Sequence, residues 1–78
     1  MDRNKIEERL SEGSPSTVLS TPFSVLKLRN MAKAALRGNV MLTIIVGDNL
    51  NDYDIDNIRA EAPRNVAFDY SRCSFPQP

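Results

Sequence analysis

Two carboxylates four residues apart, Asp48 and Asp52, sit in the stretch Gly47-Asp48-Asn49-Leu50-Asn51-Asp52, directly after an apolar run. Acidic side chains gathered at the end of a strand can hold a hard divalent cation through oxygen. The rest of the chemical inventory is thin. The chain has no histidine, which removes the commonest general base, every Ser–His or Cys–His pairing and the commonest transition-metal ligand. Its single cysteine, Cys73, follows Arg72; a cation favours the thiolate, but a lone thiol without a base is a poor basis for catalysis. Neither a phosphate-binding loop nor a GxGxxG fingerprint is present. The expectation is a protein that is not an enzyme, with no catalytic residue, no metal and no cofactor.

The 47–52 turn resembles the fourth, metal-binding motif of haloacid-dehalogenase-type phosphatases, and the resemblance covers those residues alone. It implies Mg²⁺ held by Asp48 and Asp52. That family also needs an upstream strand ending in a DxDxT or DxDxV nucleophile loop, whereas the acids before Gly47 are Asp2, Glu7, Glu8 and Glu12. A polar strand-to-helix turn followed by a helix cap accounts for the same residues. A calcium loop fails in either register. Starting at Asp48, Tyr53 takes the glycine position and Arg59 that of the bidentate glutamate; starting at Asp52, Pro63 takes the last ligand position. Ser24 and Lys27 have S-x-x-K spacing, without the S-D-N and K-T-G elements that give it meaning. The acids read as a solvated helix face.

Charge is the stronger signal. Ten basic and ten acidic residues cancel over the 78-residue chain, yet they are sorted. Between Thr21 and Gly47 stand Lys27, Arg29, Lys33 and Arg37 with no acid; between Asp48 and Glu61 stand Asp48, Asp52, Asp54, Asp56 and Glu61 with Arg59 the one base. A basic helix face could meet nucleic acid phosphates. It could equally pair with the acidic segment of the same chain or of a second copy.

The elements that position these groups follow from periodicity. Val40, Leu42, Ile44 and Val46 fall on one side of an extended segment, and Met41 and Ile45 flank Thr43 on the other. A strand apolar on both faces is the mark of a sheet covered on both sides. Thr21-Pro22 and Gly38 bracket a helix over about 22–37, with Thr21 as cap and Gly38 as stop. Val25, Leu28, Met31, Ala32, Ala35 and Leu36 share one of its faces; Lys27, Asn30, Lys33 and Arg37 lie opposite. Asn51 caps a second helix over about 52–61, ended by Pro63. A marginal helix over about 4–11 has Asn4 and Glu7 at capping-box spacing and only Ile6 and Leu10 as its apolar face. Strands are expected at about 16–20, 39–46 and 65–71, the last from alternation of Val66, Phe68 and Tyr70.

Helices alternating with strands predict an α/β fold: one small domain with two or three mainly parallel strands, a polar loop near residues 11–17 and a tail at 72–78. With strands in chain order, right-handed crossovers put both long helices on one face, leaving the other face of the 40–46 strand to the N-terminal helix or to another subunit. With the middle strand at an edge the helices can take opposite faces, and the sequence leaves both orders open. The apolar content of 41%, at this length, makes self-supporting burial marginal. The charged start, the lone cysteine and the absence of a long apolar run predict a cytoplasmic protein without leader or membrane span. The function expected is a non-enzymatic interaction or regulatory protein, a homo-oligomer or an adaptor to a larger protein. Its candidate partner-binding residues are Lys27, Arg29, Lys33, Arg37, Met41, Ile45, Asp52, Asp54 and Asp56. Nucleic acid bound by the basic helix face is the alternative, and a magnesium-binding turn at 47–52 a remote one.

Overall fold

The computed structural model describes residues 4–21 and 23–71. They form α1 (Asn4–Ser11), β1 (Ser16–Leu19), α2 (Val25–Gly38), β2 (Leu42–Ile45), α3 (Asp52–Glu61) and β3 (Val66–Asp69). The strands make one parallel sheet in the order β1-β2-β3. This is the α/β architecture that the alternation of elements predicts. Pro22 as first helical residue, Arg72, Cys73 and the tail at 72–78 lie outside the described residues.

Several boundaries differ from the periodicity reading. The middle helix starts at Val25 rather than 22, because Ser24, not Thr21, is its cap: the Ser24 hydroxyl accepts from the Lys27 N–H. It ends one residue later, since Gly38 is still helical and Asn39 makes the left-handed turn at φ 56. Asn39 and Val40 then donate back to Leu36 and Ala35, closing the helix end. The strands are shorter than 16–20, 39–46 and 65–71, running 16–19, 42–45 and 66–69. Pairing sets those limits: each ladder joins only four residues, Ser16–Leu19 with Leu42–Ile45 and Leu42–Ile45 with Val66–Asp69. Asn51 caps α3 in a reciprocal box with Asp54.

With the strands in chain order, right-handed crossovers carry α2 and α3 to the same face. The packing agrees: α2 lies between α1 and α3, and α1 also meets β1. All three helices therefore line one side of the sheet. Their buried residues Leu10, Leu28, Met31, Ala32, Ala34, Ala35, Ile58 and Ala62 form a single cluster with Val18, Leu42, Ile44 and Val66. The apolar face of α2 is rotated from the one periodicity suggests. Ala34 is fully buried, while Leu36 is 54% exposed. The cause is α1, which crosses α2 so closely that a Cβ on Gly38 would lie 1.7 Å from the Leu10 carbonyl oxygen. Ala34 and Gly38, four apart, share that side of α2; Leu36 points elsewhere.

Candidate functional site

The second face of the sheet is set by alternation and register. Thr17, Thr43 and Ala67 are aligned across the three strands, as are Leu19, Ile45 and Asp69; Met41 precedes them on the same side of β2. No described helix covers these residues. Leu19 is 40% and Met41 45% exposed, while Thr43, Ile45 and Ala67 are half-buried by their neighbours in the sheet. The apolar run that suggested cover on two sides is thus covered by this chain's described elements on one. Asp69, the single charge in the two rows, accepts from the Ser71 N–H at 2.8 Å. The structure brings the candidates Met41 and Ile45 together here and adds Thr17, Leu19, Thr43 and Ala67. The Thr17–Leu19 segment carried a weak signal, a short apolar run read only as a possible strand.

The charged candidates lie on the helix layer, not on this face. Lys27 of α2 pairs with Glu7 of α1. Arg29 reaches Glu61 of α3 at 2.7 Å, and Lys33 approaches the same carboxylate at 4.0 Å. The basic and acidic segments therefore meet within one chain, at the helix seams. Arg37 and Asp52 are exposed, Asp54 serves the α3 cap, and Asp56 faces Arg59 at 3.3 Å. Arg59 also stands over the Phe68 ring, 5.1 Å from its centroid.

The 47–52 turn is a clasp. Ser20, fully buried after β1, accepts from the Gly47 N–H at 2.7 Å and donates to the Asn49 side-chain oxygen at 2.7 Å. The Asn49 amide donates in return to the carbonyls of Ser20 and Phe23. These bonds tie the loop after β1 to the loop after β2 at the carboxyl edge of the sheet. Asp48 is exposed and outside this network. Among the described residues no three His, Cys, Asp or Glu side chains gather as metal ligands. Asn49 escaped the sequence reading because its partner Ser20 is 29 residues away. Asn49→Leu is expected to cost about 2 kcal/mol by stranding a buried hydroxyl, and Asp48→Asn about 0.5 kcal/mol or less. Urea unfolding of the two variants checks the contrast.

No helix among the described residues is long and apolar enough to cross a membrane. No protein-family model, curated protein sequence or solved structure matches this chain.

Proposed function

We propose that this is a non-enzymatic interaction protein that acts through protein–protein contact, with a second copy of the chain as its first partner. The observation that carries this reading is the one-sided sheet: three helices on one face, and on the other exposed Leu19 beside Ile45, with exposed Met41 along the same face beyond Thr43. Contiguous exposed apolar surface marks association sites, and methionine is enriched at their centres. The lack of histidine, which withholds the usual proton-transfer chemistry, supports the same reading. Of the cations that could bind phosphates, Lys27, Arg29 and Lys33 already face carboxylates, so the basic helix offers nucleic acid little free charge.

A photo-crosslinking residue placed at position 41 or 45 in growing cells tests the reading. Discrete protein adducts are expected from both positions, unchanged by nuclease, with none from position 56 on the exposed side of α3. Adducts missing at 41 and 45, or lost on nuclease treatment, overturn it.

A further inference from the structure

The edge of the sheet at β1 has the chemistry of a strand waiting for another. In a parallel ladder alternate residues bond to the neighbour. Here Ser16 donates to Met41 and Ser20 to Ile45, so Thr17 and Leu19 turn their N–H and C=O groups outward. No described strand pairs with them. Edges are guarded by shortness, a charge, a proline or a bulge. Ser16-Thr17-Val18-Leu19 is short and follows Pro15 but holds no charge, proline or bulge within it, while the opposite edge strand, β3, carries Asp69. Beside β1, α1 takes the outermost place in the helix layer, against α2 and β1.

The outer stripe of α1 says what fits there. Lys5, Glu8, Arg9 and Glu12 are spaced as one helix face, and all four are exposed. The Glu12 N–H donates to the Glu8 carbonyl, so the helical turn carries on through Glu12. None of the four joins an ion pair among the described residues; the acid of α1 that does, Glu7, lies on the other side with Lys27. Read in chain order the stripe is plus, minus, plus, minus, and reversed it is the complement of itself. Against an antiparallel copy, Lys5 meets Glu12, Glu8 meets Arg9, and both contacts recur by symmetry.

We propose that two copies of this chain join edge to edge through β1, in antiparallel pairing about a two-fold axis normal to the sheet. Thr17 of one copy exchanges both main-chain hydrogen bonds with Leu19 of the other, and the axis passes beside Val18. The same axis sets the two α1 helices antiparallel, the orientation that the charge stripe requires. One two-fold thus satisfies two separate sets of groups, as an isologous contact must. The product is a six-stranded sheet whose open face is doubled, with both Leu19 side chains near its centre. The inference rests on the interaction reading for its second copy, but it places the contact at the edge rather than on the open face.

Light scattering on purified protein tests it with three variants. The wild type is expected to show twice the 8.7 kDa chain mass, with association weakening as salt screens the stripe. Thr17→Pro removes an N–H that β2 does not use, a substitution that edge strands accept; it is expected to give a folded monomer by circular dichroism. Lys5→Glu with Arg9→Glu makes the stripe wholly acidic, and Glu8→Lys with Glu12→Lys makes it wholly basic. Each is expected to be monomeric alone, and the equimolar mixture to recover the double mass. Folded dimers that survive Thr17→Pro, or charge variants whose mixture stays monomeric, overturn the edge contact without touching the crosslinking result at 41 and 45. A wild type that stays monomeric at millimolar concentration overturns the edge contact and, with it, the second copy as partner.

Discussion

Gly38→Ala is expected to lower stability by about 3 kcal/mol, although alanine is the better helix former. Two effects oppose each other. Alanine in a helix gains up to about 1 kcal/mol over glycine from backbone entropy and propensity. Against this, the new Cβ would sit 1.7 Å from the Leu10 carbonyl oxygen, 2.8 Å from its carbonyl carbon and 3.1 Å from the Gly13 nitrogen. All three are main-chain atoms, which no rotamer change can clear. The helix α1 has to shift, taking with it the fully buried Leu10. Overpacking therefore wins, by an amount that is large against the ~4–12 kcal/mol expected for a chain of this length. For a domain this small the thermal midpoint should fall by about 10–20 °C. Trimming Leu10 to alanine should not rescue the variant, because the obstacle is its carbonyl group. An unchanged or raised melting temperature would mean that the two helices do not touch at this point.

The second large effect contrasts neighbours in β2. Ile44 is fully buried beneath the helices, and Ile45, next to it, faces the open side. Ile44→Ala is expected to cost about 3–4 kcal/mol, the transfer of the lost methyl groups plus the cavity they leave. Ile45→Ala in dilute protein is expected to cost about 1 kcal/mol or less, since half-exposed side chains give up little transfer energy. Chemical denaturation at low protein concentration measures both. Equal losses at the two positions would show the sheet covered on both faces, and would remove the surface on which the interaction reading stands.

Much of this architecture is legible in the sequence, and the reasons are local. The apolar spacing of Leu28, Met31, Ala32 and Ala35 needs no tertiary knowledge to make a helix, and Asn51 with Asp54 caps α3 from three residues away. Other features depend on chain segments far apart. Ser24 displaced Thr21 as the cap because the Phe23 N–H turns back to Ser20, a residue already held by Asn49. Gly38 reads as a helix stop, its commonest role, yet it serves as the gap into which Leu10's backbone fits. Of the candidate site residues, Met41 and Ile45 shared a face by alternation alone. The charged ones were gathered by sequence blocks, and in the fold they divide between helix seams and solvent.

What the sequence determined alone is most of the set of elements: three helices, two clear strands and a weaker third at 17–19, in a chain without histidine. Periods of 3.6 and 2 and the caps are written within a few residues of each helix and strand. The tertiary structure decided the rest: strand order, and through it the side on which every helix lies. A parallel strand's neighbours and the hand of its crossovers are long-range matters, so an apolar run such as 40–46 can announce two apolar faces without saying that only one is roofed. The same folding step turned the 47–52 segment into a clasp on Ser20 and left β1 as a short edge, unpaired on its outer side among the described strands, beside a self-complementary helix.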